Sequence, residues 1–288
     1  MLKIGDFEMH LIKESIMNVD GGGAFGLIPR KLWSRYVKPD ADNLIPMSQN
    51  CLYVKAHGKH IVVDTGIGSK LTKRLRRMYQ IENENGLVTA LAQLGITPSE
   101  IDLVINTHLH FDHAGGNTIW DDDGNIQATF PNAEYVVQRG EYDDAMHPNE
   151  RTSATYFPDN YVPLVENSQM RLLDGDTEIL EGITGIVTPG HTPFHMSIRF
   201  ESQSEHGAFV CDLASFAVHF ERLAWMTAYD VEPLRTMETK RIWQQWAIDH
   251  EATLIFPHDV TRPVGRLRAS DVGVPILETI DEAFVNAD

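Results

Sequence analysis

Cysteine is scarce in this chain: 288 residues contain two, Cys51 and Cys211. Two thiols cannot make a disulfide framework, which points to a reducing compartment. Positive charge is also short. Lys and Arg number 24 against 41 Asp and Glu, a formal net charge of −17. A phosphate backbone is gripped by clustered Lys and Arg that displace its counterions, so the deficit argues against nucleic acid. It equally disfavours an anionic membrane surface. No apolar run approaches the roughly 20 residues needed to span a bilayer. The opening MLKIGDFEMHLIKESI alternates apolar and polar residues with early acids, unlike the basic-then-apolar order of a signal peptide. A soluble, cytoplasmic protein is expected, with no nucleic-acid or membrane partner.

Tandem repeats, low-complexity tracts and separating linkers are absent too, so residues 1–288 read as one domain. A composition of 42% hydrophobic and 9% aromatic residues suffices for a packed core. Short β-branched or alternating runs predict strands at Phe7–Ile16, Cys51–Ala56, His60–Asp64, Asp102–Asn106 and Glu134–Gln138. Others follow at Gly185–Thr188, His195–Phe200, Ala208–Cys211 and Thr253–Phe256. Apolar residues at helical spacing predict helices over Ser69–Gln80, Gly86–Leu94 and Pro233–Asp249. Strands followed by helices in each half imply an α/β layered fold. The Gly-rich run Asp20–Arg30 reads as a flap or a plain surface loop, and 17–37 is the candidate flap segment.

What the chain has in plenty is histidine, 13 in all. Three fall in Thr107–His113 (THLHFDH), directly after the apolar strand residues Leu103–Ile105 and before the small-residue turn Ala114–Asn117. An α/β protein usually builds its site at a strand's carboxyl end. His108 and His110, two apart on extended chain, aim the same way. Asp112 and His113 come where the chain turns. Neutral imidazoles and a carboxylate gathered so tightly suit a borderline cation such as Zn²⁺. Without a cation, burying them would be costly.

Three later residues also follow hydrophobic strands: His191 in TPGHTPFH (Thr188–His195), Asp212 after Ala208–Cys211, and His258 after Leu254–Pro257. Side chains alternate along a strand, so Cys211 and Asp212 are not expected to reach the same point. Asp212 is the chosen ligand, and Cys211 reads as a small buried hydrophobe.

HLHFDH, with DTG upstream at Asp64–Gly66, TPGH, a post-strand Asp and a late His, resembles the metallo-β-lactamase superfamily of hydrolases. The likeness runs in order over roughly residues 50–260, and the HxHxDH motif is highly specific. It implies a four-layer αβ/βα sandwich with a dinuclear metal site at one edge. On that resemblance His108, His110 and His191 match the ligands of one metal, and Asp112, His113 and His258 those of the other. Asp212 matches the carboxylate bridging both. Asp64 matches an aspartate that braces the loops, and His195 is expected to support the site without binding metal. The flanking GGGAFGLIPRKLW and the stretch from Trp225 to Arg268 look most like the branch holding methyl parathion hydrolase and certain acyl-homoserine lactonases. There an N-terminal apolar segment covers the metals, which implies pocket-wall roles for Phe25, Leu27, Ile28 and Trp33. One lactonase group has a Tyr three residues after the bridging Asp; here Ser215 stands there, followed by Phe216. His219 nearby is a further pocket candidate.

The expected chemistry is hydrolysis of an ester-like bond by a hydroxide shared between two divalent cations, with Zn first and Mn, Fe or Co compatible. Asp112 is the candidate to relay a proton to the leaving group. Among small-molecule substrates a lactone ranks first, an organophosphate triester second and a glyoxalase II-like thioester third. A structural metal-binding module is the non-enzymatic alternative. A homodimer through the apolar N-terminal segment or the helix near Trp243 and Trp246 is one expectation, with burial of those tryptophans in the core the equal alternative.

Overall fold

Val62, Val104 and Val136 lie on neighbouring strands with no exposed face, the pattern of a sheet covered on both sides. The computed structural model describes residues 1–81, 83, 85–271 and 273–281, and the backbone of 285–286. The chain divides into two compact units.

The first unit comprises Met1–Ile16 and Gln49–Thr177, with the C-terminal strand Val285–Asn286. Its sheet has eight strands, in the order Leu2–Ile4, Phe7–Asp20, Leu44–Ala56, Lys59–Val63, Leu103–Ile105, Glu134–Gln138 and Met170–Leu173, with Val285–Asn286 pairing beside Phe7–Asp20. Lys59–Val63 pairs antiparallel with Leu44–Ala56, and the next three neighbours run parallel to it in turn. Val62, Val104, Tyr135 and Val137 pack under Leu87, Ala90 and Leu91 of the helix Gly86–Gln93. That helix covers the expected stretch. The helix expected over Ser69–Gln80 forms only at Lys73–Met78, where the Thr72 hydroxyl caps Leu75 N–H at 3.3 Å. The strand expected at Cys51–Ala56 starts earlier, at Leu44, because the polar Ser48, Gln49 and Asn50 are buried there.

The second unit comprises Met17–Ser48 and Glu178–Asp281. Its seven-stranded sheet runs Thr177–Leu180, Ile183–Val187, Met196–Ser202, Glu205–Phe209, Thr253–Ile255, Val264–Arg268 and Ile276–Thr279. All pairings whose registers are known are antiparallel except Glu205–Phe209 with Thr253–Ile255. A parallel pair needs a long crossover, and the helix Pro233–Asp249, with the predicted bounds and Pro at its first turn, lies within it. Trp243, Trp246 and Ala247 pack on Ala208, Leu254 and Leu267. The Arg199 guanidinium lies 4.7 and 4.2 Å from the ring centres of Trp243 and Trp246.

The Gly-rich run is not a loop throughout. Gly21–Phe25 forms a helical turn capped by Asp20, whose Oδ1 accepts Gly22 N–H at 2.7 Å and Gly23 N–H at 3.1 Å. A Cβ on Gly21 would lie 2.4 Å from the Trp33 ring, so only glycine lets the indole settle on this backbone. Phe25 then stacks on Trp33 with centroids 5.0 Å apart.

Candidate metal centre

In the first unit the strand Leu103–Ile105 ends in Asn106–His110, and His110 opens the short helix Phe111–Ala114. Asp64 organises this turn. Held at φ 55°, its carboxylate accepts Thr107 N–H and the Thr107 hydroxyl, each at 2.8 Å, and faces His113 Nδ1 at 3.0 Å. Two glycines follow because the loop lies against backbone: a Cβ on Gly115 would meet Ile67 O at 2.1 Å, and one on Gly116 Thr65 O at 2.3 Å. Leu109 N–H donates to Glu141 Oε1 at 3.0 Å, pinning the residue between His108 and His110. The rings of His108 and His110 have centroids 4.6 Å apart, those of His108 and His113 4.2 Å. Asp112 Oδ2 lies 3.7 Å from His113 Nε2. All three histidines are buried, while Asp112 is partly exposed.

Beside this turn, burial draws the Lys70 amine down to about 8; its ammonium donates to the carbonyls of Gly115 and Thr118. Burial likewise raises the Glu14 carboxyl to about 6, although it accepts the Ser15 hydroxyl and the N–H groups of Ile67 and Gly68.

The second unit gathers His191, Asp212 and His258. Gly190, at φ 145°, lets the TPGH turn press on Thr236, whose Oγ1 would lie 2.3 Å from an added Cβ. His191 Nε2 lies 3.2 Å from Asp212 Oδ2, and His258 Nε2 lies 3.1 Å from Asp212 Oδ1. Ser215 donates its hydroxyl to Asp212 Oδ1 at 3.0 Å. The far nitrogens are held as well: His191 Nδ1 by Asp230 Oδ1 at 3.0 Å, and His258 Nδ1 by the Ser48 carbonyl at 2.8 Å.

These outer bonds decide what the inner nitrogens can do. A carbonyl or carboxylate accepts, so Nδ1 carries the proton of a neutral imidazole and Nε2 presents a lone pair. Lone pairs of His191 and His258 then face the lone pairs of Asp212, which repel unless a proton or a metal cation lies between them. His113, held at Nδ1 by Asp64, has the same tautomer. The donor set of buried imidazole nitrogens and carboxylate oxygens, each with its outer partner, fits divalent metal ions.

Strand alternation does not extend to Cys211. Cys211–Leu213 is a 3-10 turn, with Cys211 at φ 48°, so no pleat separates it from Asp212. Cys211 is fully buried, and its thiol is among the groups that could ligate a metal ion, while Ala208 and Val210 before it lie in an apolar cluster. His195 faces Thr188 Oγ1 at 2.8 Å with Nδ1 and accepts Asp212 N–H at 3.1 Å on Nε2. Of the pocket candidates, Phe25, Trp33, Phe216, His219 and Ser215 are buried; Ile28 is half-buried and Leu27 fully exposed. Asp230 and Glu141 escaped the sequence reading, since neither lies in a motif or at a ligand spacing.

Residues 44–237 match the family described as the metallo-beta-lactamase superfamily. The chain is 26% identical over 234 residues to an N-acyl homoserine lactonase of Bacillus cereus, covering 77% of this chain and 86% of that one. Among solved structures, a probable metal-dependent hydrolase from Staphylococcus aureus is 28% identical with a TM-score of 0.87, covering 98% of this chain and 100% of the other. AidC, described as a dizinc quorum-quenching lactonase in complex with a product N-hexanoyl-L-homoserine, aligns with a TM-score of 0.77 at 21% identity, covering 98% and 97%.

Proposed function

Because the chain belongs to the metallo-beta-lactamase superfamily and has its fold, we propose that this metal-dependent hydrolase opens the ring of a lactone. The observation that carries the reading is the Asp212 carboxylate set between His191 Nε2 and His258 Nε2, with both imidazoles held in the ligand tautomer from behind. In this reading His108, His110 and His191 would hold one cation and Asp112, His113 and His258 a second, with Asp212 available to both. Zn²⁺ suits these nitrogen and oxygen donors best, and Mn, Fe or Co fit the same set. Bound divalent ions supply an acidified water and an electrophilic pull on the substrate carbonyl.

This chain's own residues do the rest. Asp64 and Asp230 keep His113 and His191 in the productive tautomer. Asp112, partly exposed, takes a proton from the attacking water and passes it to the leaving alkoxide. Water thus adds to the carbonyl carbon, the acyl–oxygen bond breaks, and one hydroxy acid leaves. Phe25, Trp33 and Phe216 offer an apolar wall to the substrate, with Leu27 and Ile28 at its outer side. Ser215 is tied to Asp212, so it orients that carboxylate instead of binding the lactone as a Tyr would. The lactonase relative favours a lactone over a phosphotriester or thioester. Among the described residues no helix is long and apolar enough to cross a membrane; a cytoplasmic enzyme acting on a small molecule completes the reading.

A panel of an N-acyl homoserine lactone, an aryl phosphotriester and S-lactoylglutathione, given to metal-loaded protein, tests it. Turnover led by the lactone is expected. Activity confined to the phosphotriester or the thioester would reverse the assignment.

A further inference from the structure

His219, on the short helix Ala217–Glu221, is 1% exposed, and neither ring nitrogen has a hydrogen-bond partner. A polar group buried without a partner costs about 1–3 kcal/mol, and native proteins rarely leave one so. Nothing apolar requires a histidine here, because a phenylalanine would fill the same aromatic cluster. The ring stands edge-on to Phe25 at 5.0 Å and to Phe216 at 5.3 Å, and Phe25 stacks in turn on Trp33. The backbone beneath it is fixed. His219 N–H donates to Phe216 O at 2.9 Å, and its carbonyl accepts the buried Lys240 ammonium at 3.0 Å.

Position adds a second clue. His219 N–H is bonded to Phe216 O, and Phe216 adjoins Ser215, whose hydroxyl donates to Asp212 Oδ1, so the imidazole lies on the side of the unit that carries the proposed ligands. Burial, with Lys240 nearby, holds it well below the ordinary histidine value, and the ring is neutral. A neutral imidazole offers one donor and one acceptor. A secondary amide carries the complementary pair, whereas a phosphotriester has acceptors alone.

Resting on the lactonase reading above, we infer that His219 is a specificity-determining residue that hydrogen-bonds the amide of an N-acyl lactone while Phe25 and Phe216 enclose its apolar chain. A site built to pair a polar group discriminates strongly against analogues lacking that group. The amide takes no part in the bond change and is held alike in ground and transition states, so the contact acts in KM more than in kcat.

The test compares metal-loaded wild type with His219→Phe and His219→Gln on two lactones of similar size, N-hexanoyl homoserine lactone and an alkyl lactone with no amide. For His219→Phe, KM for the amide-bearing lactone rises about tenfold, while KM for the alkyl lactone stays within about twofold. His219→Gln, which keeps a donor and an acceptor, recovers most of the loss. Melting temperature and metal content of each variant guard against misfolding. A loss shared equally by both lactones, or no loss, overturns the role of His219 while leaving lactone hydrolysis intact. Wild type inactive on both lactones overturns the lactonase reading and this inference with it.

Discussion

Asp212 donates its backbone N–H to Nε2 of His195 at 3.1 Å, which assigns the proton of a neutral His195 to Nδ1 and so to Thr188 Oγ1 at 2.8 Å. The chain of bonds continues through Ser197 Oγ, 3.0 Å from Thr188 Oγ1, which donates to Val210 O at 2.7 Å. It thereby grips the backbone on both sides of Cys211, whose left-handed conformation costs about 1 kcal/mol. The turn presenting the Asp212 carboxylate is held by a histidine outside the proposed ligand set.

Replacing His195 by Phe keeps the ring volume and removes the acceptor. Zinc affinity, measured by competition with a chromogenic chelator, is expected to fall about 10- to 100-fold. Unchanged affinity would show that the turn holds itself.

Asp230 acts on His191 in a comparable way, accepting both His191 Nδ1–H and the Thr227 hydroxyl at Oδ1. Asp230→Asn can present a donor to Nδ1 and favour the wrong tautomer. We expect kcat/KM to drop about 10- to 100-fold with little change in melting temperature. A wild-type rate in that variant would remove Asp230 from the account.

Glu14 sets a pH dependence whose sign is definite. Its folded value of about 6 lies above the ordinary 4.5 because burial outweighs its hydrogen bonds. Between these values the native state binds more protons than the unfolded chain, so this group's contribution falls as pH rises through that window. Relative to Glu14→Gln, wild type should lose about 2 kcal/mol of stability between pH 4 and pH 7, by the 1.36 kcal/mol per pH unit of linkage. Urea unfolding at several pH values measures it, and a difference that grew with pH would contradict the burial argument.

Lys240 is fully buried, and its ammonium donates to the carbonyls of His219, Arg222 and Trp225. Burial pulls the amine down to about 7, yet the three carbonyls have this one side chain in common. Lys240→Met should destabilise the protein by about 2–3 kcal/mol, read from the urea midpoint, because the buried carbonyls of His219 and Trp225 lose this donor while Arg222 O keeps Trp225 N–H. A stabilised variant would mean that the desolvation cost of Lys240 dominates.

The histidines of the proposed site stand out as candidates because each lies in a short motif directly after an apolar strand, and tight spacing leaves few alternatives. Glu134–Gln138 and Pro233–Asp249 were legible to the residue for a similar reason: a β-branched run and a long helical period each carry their own boundaries. Other features depend on contacts distant in sequence. The Gly21–Phe25 turn exists because Trp33 lies against glycine backbone, and local composition shows a loop just as well. Cys211 leaves the strand through a positive φ that no propensity marks. Asp230, 39 residues from His191, has no spacing that announces it.

Metal dependence of lactone hydrolysis tests the central claim most directly. Protein stripped with a chelator and titrated with Zn²⁺ should regain N-acyl homoserine lactone turnover up to a plateau near two equivalents, with melting temperature rising alongside. His108→Ala should abolish the regain. Full activity in the stripped protein, or a melting temperature indifferent to metal, would contradict the account.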